Sequence, residues 1–427
     1  MKPGYKQTEV GVIPEDWDTP SIGAYRPFVT SGSRGWAAYY AEYGSPFIRI
    51  TNLNRGSIYL DLDDLRFVAI PPQNTEGQRT VLQDDDLLIS ITADIGIVGI
   101  VSHELPKPAY INQHIALVRF DRGRISPKYV TYCLGSERTQ RIFRALTDSG
   151  AKAGMNLTTV QQIRFAAPPT LAEQEAIAAA LSDADALIDS LEQLIAKKRL
   201  LKQGAMQDLL TGKKRLPGFG GDWEVKTFGE IFVFLPTATN SRSDLESDGD
   251  AYYIHYGDIH TRFHSHLDFF TTSPPRIDRD KCPSAACLRN GDWVMADASE
   301  DYDGVGKTIE IQGLGADEEA VSGLHTFLLR EKTPTFAPGF KGHLGNLKSL
   351  HEQYLRVATG MKVYGVSKTA LRELELPVPS IPEQTAIAAI LSDMDAEIAA
   401  LEAKLAKARQ VKQGMMQELL TGKTRLV

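Results

Sequence analysis

The sequence predicts an α+β protein in which two related globular segments alternate with two long helices. Two observations carry this prediction. Sliding the chain by 210 residues aligns Glu173–Leu216 with Glu383–Leu426 without a gap, and 29 of the 44 aligned pairs are identical. A weaker likeness, at nearly the same offset, links the longer segments that precede these two copies. Internal similarity of this strength indicates a duplicated unit.

The two preceding segments read as globular domains that keep the order of their motifs while their residues diverge. "PFIRITNL" (Pro46–Leu53) resembles "YYIHYGDI" (Tyr252–Ile259). "NQHIALVRF" (Asn112–Phe120) resembles "SGLHTFLLR" (Ser322–Arg330), with His114 matching His325 and Arg119 matching Arg330 at an offset of 211. Short β-like runs alternate with turns in both segments, and each segment ends in a helical stretch, at Pro127–Leu146 and Phe340–Ala358, which indicates mixed α and β structure. The expected order along the chain is globule, helix, globule and helix, at residues 1–168, 169–214, 215–379 and 380–427.

Each repeated copy reads as one long helix. Capping-box pairs, Thr170 with Glu173 and Ser380 with Glu383, mark the two starts. Apolar residues then recur at alternating spacings of four and three, the pattern of a helix-pairing seam. The predicted seam residues are Ile177, Leu181, Ile188, Leu191, Ile195, Ile387, Leu391, Ile398, Leu401 and Leu405.

A coiled coil that joins two separate chains is the plain alternative for these helices. It is less favoured because both copies lie in one chain and can pair with each other. Gly204 and Gly414 lie inside the predicted helices, where they indicate either a kink or a close approach of two helices.

The overall charge is not typical of a nucleic-acid-binding protein. The net charge is −7, and most of the acidity lies in residues 217–365, with 14 basic and 22 acidic side chains. Nonspecific DNA binding relies on neutralising phosphates, so the bulk charge argues against it. The three cysteines show no metal-like pairing, nothing resembles a signal peptide, and no apolar run approaches membrane-spanning length, so a cytoplasmic location is expected.

The sequence motifs that would indicate catalysis are either incomplete or absent from the sequence. "GVGKT" and "TGKT" end like phosphate-binding loops, but the first glycine of that motif is replaced by Asp301 and Gln417. The Asn-Pro-Pro-aromatic or Asp-Pro-Pro-aromatic tetrapeptide of adenine methyltransferases is absent from the sequence. A histidine group at 255, 260, 264 and 266 leaves a metal site as an alternative, although a loop that faces DNA or solvent is favoured.

These stretches resemble the specificity subunits of type I restriction-modification systems. The resemblance spans essentially the whole chain and is strongest in "LAEQEAIAAALSDADALIDSLE" and "KQGAMQDLLTGKKRL" with their second copies. It extends to "TSGSRGWAAYYAEYGSPFIRITNL" in the first globule and "ADASEDYDGVGKTIEI" in the second.

The resemblance implies that each globule is a target-recognition domain for one half of a bipartite, asymmetric DNA site. The two helices would pack antiparallel as a spacer and dock two modification subunits, which use S-adenosylmethionine to methylate adenine N6. Separate restriction subunits would translocate and cut DNA with ATP. S-adenosylmethionine, ATP and Mg would then belong to partner subunits, and this chain would have no catalytic or metal site. An approximate twofold axis lets one chain hold two identical partners.

The candidate DNA-reading residues are polar side chains in the predicted turns of each globule. Arginine matches the edge of guanine, asparagine or glutamine matches adenine, and carboxylates accept from cytosine N4. In the first globule the candidates are Ser31, Ser33, Arg34, Arg49, Asn52, Asn54, Arg55, Thr92, Asp94, Asn112 and Gln113. In the second globule they are His255, Asp258, His260, Arg262, Asp297, Ser299, Glu300, Tyr302 and Lys307. A solvated turn or a structural cap is the alternative reading of each residue.

Two other functions remain open at this point. The chain could be a noncatalytic adaptor that binds protein through its helices and no longer reads DNA. It could also be an enzyme with an unfamiliar centre. A DNA gel-shift assay with and without a modification subunit distinguishes a DNA-recognition subunit from an adaptor. Methyl transfer by the isolated chain would indicate an enzyme.

Overall fold

A computed structural model of the chain describes residues 3–32, 34–71, 75–148 and 154–426. Its contacts divide the chain into two compact units, Met1–Glu192 with Ala403–Val427, and Gln193–Glu402. Each unit therefore contains one globule and a part of each long helix. The four-part division expected from the sequence remains a prediction about order along the chain.

Within its described residues, the first unit contains ten strands and four short helices. The strands are β1 (Tyr5–Thr8), β2 (Gly11–Pro14), β3 (Phe28–Ser31), β4 (Tyr40–Ala41), β5 (Ser45–Ile48), β6 (Arg66–Val68), β7 (Leu87–Ser90), β8 (Val98–Ile100), β9 (Tyr110–Ile111) and β10 (Ile115–Arg119). The helices are α1 (Thr75–Thr80), α2 (Pro127–Gly135), α3 (Glu137–Asp148) and α4 (Leu157–Gln162), and short 3-10 turns occur at Ile22–Tyr25, Trp36–Tyr39 and Ile50–Asn52.

The central sheet of the first unit has the order β3-β10-β7-β8, with antiparallel neighbours. A second sheet has the order β4-β6-β5-β9, and β1 and β2 form a hairpin. Successive side chains of a strand point to opposite faces. Accordingly Leu87 and Ile89 enter the core on one face, while Leu88 enters a separate core on the other. Because both faces are covered, every residue of β7 is buried.

The first long helix, α5 (Leu171–Leu209), leads into the second unit. The second unit's strands are β11 (Glu224–Thr227), β12 (Phe232–Leu235), β13 (Ala251–Ile254), β14 (His266–Asp268), β15 (Arg276–Ile277), β16 (Trp293–Ala296), β17 (Ala298–Ser299), β18 (Thr308–Gln312), β19 (Glu319–Ser322), β20 (Thr326–Glu331), β21 (Tyr364–Gly365) and β22 (Glu375–Val378). Its short helices are α6 (Phe228–Ile231), α7 (Tyr256–Thr261), α8 (Phe340–Leu344), α9 (Lys348–Val357) and α10 (Lys368–Arg372), with 3-10 turns at Arg242–Asp244 and Arg279–Lys281. The second long helix, α11 (Ile381–Leu419), begins in this unit, and its residues from Ala403 onward belong to the first unit.

The central sheet of the second unit repeats the plan of the first and adds one strand. Its order is β12-β20-β16-β18-β14, and a three-stranded sheet β15-β13-β19 lies apart from it. Trp293 and Met295 of β16 enter one core, and Val294 enters the other. This repeated alternation shows that the two globules keep one architecture while their residues differ.

The two long helices contain 39 residues each, or about 60 Å at 1.5 Å per residue. The capping box predicted at the start of α5 is only half formed. The Thr170 hydroxyl accepts the Glu173 N–H at 3.2 Å, but the Glu173 carboxylate binds the Arg425 guanidinium, with Oε2 2.8 Å from Nη2. Glu383, at the start of α11, binds Arg215 in the same way, with Oε2 2.7 Å from Nη2.

Ion pairs within each unit show that the helices run antiparallel. In the first unit the pairs are Glu173–Arg425, Asp185–Lys412 and Glu192–Arg409. In the second unit they are Arg215–Glu383, Lys202–Asp395 and Arg199–Glu402. As the residue number rises along one helix, it falls along the other. Each pair recurs in the other unit after a shift of 210 residues, with the two partners exchanged, so the near-identity of the repeat preserves reciprocal pairing.

The apolar seam residues contribute to the cores of the globules as well as to the pairing of the helices. Ile177 and Leu181 join the core of the first unit together with Leu419 and Leu420 from the end of α11. At the equivalent positions, Ile387 and Leu391 join the core of the second unit together with Leu209 and Leu210. Ile188, Leu191, Ile195 and Ile398 are also buried, whereas Leu401 and Leu405 are half-buried.

The two glycines inside the long helices do not mark a close helix approach. Both lie in continuous helix, and a Cβ added at Gly204 or Gly414 would meet only open space. The interpretation of these glycines as helix contacts is therefore wrong. Of the helices that the structure describes, none is both long and apolar enough to cross a membrane.

Candidate nucleic-acid interface

The sheet topology gathers the candidate residues of the first unit at one sheet edge. Strands β3 and β7 end where their antiparallel neighbours β10 and β8 begin, as the register pairs Ser31 with Ala116 and Ser90 with Ile115 show. Residues 31, 32 and 34 and the segments 91–97 and 112–114 therefore meet, and we call them the first loop edge. The end of β5 lies beside it, because the Asn112 N–H donates to the Ile48 carbonyl at 3.1 Å.

At the start of the first loop edge, Gly32 lies very close to the backbone of Asn112. A Cβ at Gly32 would lie 2.2 Å from the Asn112 carbonyl oxygen, so only glycine fits there. The Ser31 carbonyl accepts from Arg79 Nη1 at 2.9 Å, and the Arg34 side chain is exposed. The predicted candidate Ser33 lies outside the described residues.

The turn between β7 and β8 is tied to the segment before β10. The Ile91 N–H donates to the His114 carbonyl at 2.9 Å, and the Thr92 hydroxyl bonds His114 Nδ1. Gln113 Nε2 lies 3.0 Å from His114 Nε2. His114 thus orients two predicted residues, Thr92 and Gln113. His114 aligns with His325 of the second globule, but it was not among the predicted site residues.

The residues after β5 use most of their polar atoms within the protein. Asn52 is buried, its Oδ1 accepts the Arg49 N–H at 2.9 Å, and its Nδ2 donates to the Asp61 carbonyl at 2.9 Å. The Asn54 side chain is exposed, and its Oδ1 accepts the N–H of Gly56 at 2.9 Å. Asn52 therefore shapes this turn and does not present its amide at the surface.

Charged side chains near the first loop edge are also paired. Arg49 Nη2 lies 2.9 Å from Asp64 Oδ2. Arg55 bonds the exposed Asp94 carboxylate and Gln140, and its Nη2 donates to the Ile95 carbonyl at 3.1 Å. Arg55 therefore links the turn after β5 to the turn after β7.

The second unit forms an equivalent edge from different residues. Asp297 follows β16, Lys307 precedes β18 and His325 precedes β20, so the antiparallel sheet brings all three together. We call the segments 297–307 and 323–325 the second loop edge. Asp297 Oδ1 lies 3.4 Å from His325 Nδ1. Burial raises the pKa of Asp297, and the adjacent His325 opposes that shift.

Helix α7 lies beside the second loop edge, and the helix and its two capping residues include four of the predicted residues. His255 caps the helix, because its Nδ1 accepts the Gly257 N–H at 3.0 Å, and burial lowers its pKa. Asp258 is buried, and its Oδ1 accepts from Arg242 Nη2 at 3.1 Å and lies 3.6 Å from Arg262 Nη1. These contacts make His255 and Asp258 structural supports.

The remaining members of α7 connect it to the loop. His260 Nε2 lies 3.0 Å from the Ala298 carbonyl, and Lys307 Nζ donates to the His260 carbonyl at 3.2 Å. The histidine group that suggested a metal site is dispersed: His264 is exposed, and His266 Nε2 lies 2.8 Å from the Gly339 carbonyl. Within the ranges that the structure describes, no three His, Cys, Asp or Glu side chains converge as metal ligands.

The loop after β16 contains the last predicted residues. Ser299 is buried in β17, and Asp301 Oδ1 accepts the Gly304 N–H at 2.7 Å to close the turn. Glu300 and Tyr302 are exposed at its surface. The Tyr302 ring stacks on Tyr364, with centroids 4.1 Å apart and an angle of 26° between the planes. Sequence reasoning missed Tyr364 because it lies in β21, far along the chain from this loop.

The predicted residues fall into three groups by exposure. The side chains of Arg34, Asn54, Asp94, Arg262, Glu300, Tyr302 and Lys307 are exposed. Ser31, Arg49, Arg55, Thr92, Gln113, His260 and Asp297 are half-buried. Burial argues against direct base contact for the last group, Asn52, Asn112, His255, Asp258 and Ser299. Polarity in a turn did not separate these groups, since it does not tell which way a side chain points.

The sequence profile of the type I restriction modification DNA specificity domain matches residues 34–198 and 343–410, more than half of this chain. The chain belongs to that family. A Methanocaldococcus jannaschii protein assigned as the specificity subunit of the type I restriction enzyme MjaX is 23% identical over 99% of this chain and 97% of its own length. The StySPI specificity subunit of Salmonella potsdam is 26% identical over 47% of this chain and 44% of its own.

Solved structures agree with the fold. The S subunit of a type I restriction-modification system from M. genitalium has a TM-score of 0.59 at 15% identity, over 98% of this chain and 99% of that one. A chain from a study of complex assembly and conformational transition in a type I R-M system has a TM-score of 0.54 at 15% identity, over 96% and 99% of the two chains. The predicted family resemblance and the α+β class are confirmed.

Proposed function

We propose that this chain is the DNA-recognition subunit of a type I restriction-modification complex, and that each unit reads one half of a bipartite, asymmetric site. The observation that carries the proposal is the pair of loop edges. The same sheet topology builds both, yet they present different side chains. A scaffold that is repeated while its exposed loops diverge suits two different sequences.

The exposed groups at the two edges have different recognition chemistry. On the first edge, Arg34 has the fork geometry that matches guanine, and the half-buried Gln113 has an amide that matches adenine. On the second edge, Glu300 can accept from cytosine N4, while Lys307, together with Arg262 at the end of the neighbouring α7, supplies positive charge for phosphates. Different donors and acceptors should select different bases, so the two half-sites should differ.

The buried candidates contribute indirectly. Asn52 fixes the turn that follows β5, and His255 fixes the turn that follows β13. Asn112 Oδ1 accepts the His114 N–H at 3.1 Å and thereby sets the segment before β10. Replacing these residues should disorganise a loop, whereas replacing an exposed residue should change the selected bases.

The long helices would dock two identical modification subunits. The reciprocal ion pairs show that each unit builds the same helix contacts with the partners exchanged. Repetition of one set of contacts can offer equivalent binding surfaces to two copies of one partner. In this proposal catalysis belongs to the partners, which bind S-adenosylmethionine, ATP and Mg, and restriction subunits join the same assembly.

The acidity of residues 217–365 implies that the isolated chain binds DNA weakly. That stretch has 14 basic and 22 acidic side chains, and phosphate contacts dominate DNA affinity. The modification subunits would therefore supply many of the phosphate contacts. DNA-binding measurements should therefore use the complex and not the isolated chain.

The direct test is to map N6-methyladenine across the genome of cells that contain the modification subunits, with and without this chain. We expect methylation that depends on the chain and follows one motif with two different specified halves. Complex formation without any sequence-defined methylation would instead favour the adaptor function. A palindromic motif would contradict the assignment of different half-sites to the two units.

A further inference from the structure

A short closed loop projects beside the second loop edge. Thr359 and Gly365 exchange two backbone hydrogen bonds of 2.9 Å, which close the segment 359–365. Gly360 has φ +134°, and a Cβ there would lie 1.8 Å from the Val363 carbonyl oxygen, so the turn requires glycine. We call residues 359–365 the tip loop. Its conformation is fixed by these contacts.

The tip loop is attached directly to the predicted reading segment. Strand β21 pairs antiparallel with β17, in the register Ser299 with Tyr364. The Val366 N–H donates to the Asp297 carbonyl at 3.0 Å, and the Tyr302–Tyr364 stack covers the junction. The tip loop therefore belongs to the second loop edge, although more than 50 residues separate the two segments in sequence. Most of the equivalent stretch of the first unit lies outside the described residues.

The tip loop exposes apolar side chains at the surface proposed to face DNA. Met361 is 93% exposed, and Val363 and Tyr302 are 53% and 55% exposed. Apolar groups gathered on a surface commonly mark a binding site. Both signs of charge border this cluster. Lys362 separates Met361 from Val363, and Lys307 belongs to the adjoining segment together with Glu300 and Asp303. This combination suits a ligand that offers apolar groups, hydrogen-bond donors and anionic groups.

Double-stranded DNA offers that combination in the major groove. The C5-methyl group of thymine is exposed there and is read by apolar contact. Methionine is unbranched and polarizable, so it adapts to such a small apolar target. The neighbouring carboxylates of Glu300 and Asp303 can accept from cytosine N4 in the major groove, whereas they would oppose the negative potential of a narrow minor groove.

We infer that the tip loop is a further reading segment of the second unit, and that Met361 contacts the C5-methyl group of a thymine in that unit's half-site. This inference rests on the proposed DNA recognition and specifies one of its contacts. Sequence reasoning overlooked Met361 because only polar turn residues were considered as base readers.

The test uses the assembled methyltransferase complex and the motif found by genome-wide methylation mapping. Each thymine of the second unit's half-site, on either strand, is replaced in turn by deoxyuridine, which lacks only the C5-methyl group. Kd is measured for the wild-type complex and for the Met361→Ala complex. We expect one replacement to weaken wild-type binding by about fourfold, the effect of leaving one methyl group unburied. Met361→Ala should weaken binding to the thymine duplex by a similar or larger factor and should not respond to that replacement.

Phe270→Ala is the matched control. Phe270 is 86% exposed in the same unit, but it packs beside Gly313 beyond the far end of β18. This strand of five residues separates it from the second loop edge by roughly 16 Å. The Phe270→Ala complex should keep both the wild-type affinity and the wild-type response to deoxyuridine.

Three results would overturn the inference. They are wild-type affinity in the Met361→Ala complex, a wild-type complex that responds to no deoxyuridine, and a half-site that contains no thymine on either strand. All three leave a sequence-defined methylation motif intact, so they refute the role of Met361 without refuting DNA recognition. Loss of any defined motif would refute the proposed function, and this inference with it.

Discussion

The two reciprocal lysine–aspartate pairs differ in burial, and this difference predicts unequal effects of the same mutation. In the first unit the side chains of Lys412 and Asp185 are 12% and 6% exposed. In the second unit those of Lys202 and Asp395 are 16% and 42% exposed. Tyr132 also donates to Asp185 at 2.7 Å. Removing the lysine should therefore leave a buried carboxylate without its ion-pair partner in the first unit only.

Lys412→Met should destabilise the first unit by about 3 kcal/mol, because removing one partner of a buried ion pair leaves an uncompensated charge. Lys202→Met should cost about 1 kcal/mol or less, because water can hydrate Asp395. Asp185→Asn in the Lys412→Met background should restore most of the lost stability, since it removes the stranded charge.

Hydrogen exchange with mass spectrometry can measure the two units separately. Protected amides of β7 and β10 report on the first unit, and those of β16 and β20 report on the second. Lys412→Met should lower protection in the first pair of strands more than Lys202→Met does in the second. Equal losses, or no recovery in the Lys412→Met/Asp185→Asn double variant, would refute this argument from burial.

Two further predictions concern a buried histidine and the reciprocal helix contacts. Burial lowers the pKa of His343 to about 3, so the unfolded chain binds its proton more readily and stability falls as pH drops from about 6.5 towards 3, by at most about 1.4 kcal/mol per pH unit. Urea unfolding across this range should show the dependence reduced in His343→Gln and retained in the exposed control His264→Gln. Because Glu173 and Arg215 each bind the repeat equivalent of the other, residues 1–216 alone should form a dimer through the same pairs. Sedimentation should show that Glu173→Arg weakens this dimer and that adding Arg215→Glu restores it, and a half-chain that stays monomeric at high concentration would contradict the reciprocal pairing.

The repeat and its helical pattern predicted the long helices because those signals are local and periodic. The partners that the capping residues contact were not predictable in this way. Glu173 has the right spacing for a capping box, but its carboxylate binds Arg425 from the far end of the chain. A contact across 252 residues depends on the assembled fold, and no local pattern encodes it.

The candidate site was predictable to a lesser degree. Alternating β-like runs located the turns, and the antiparallel sheet then brought those turns together. Sequence polarity could not separate the exposed Arg34 from the buried Asn52, because both lie in polar turns. Met361 was missed for the opposite reason, since an apolar residue in a turn is more often read as part of a core.

The central claim is that each unit specifies its own half of the DNA site. Its most direct test replaces residues 1–168 with the corresponding globule of another family member and maps the methylated motif of the complex. We expect the half read by the first unit to change, while the other half and the spacer length stay the same. A change in both halves, or in neither, would contradict the account.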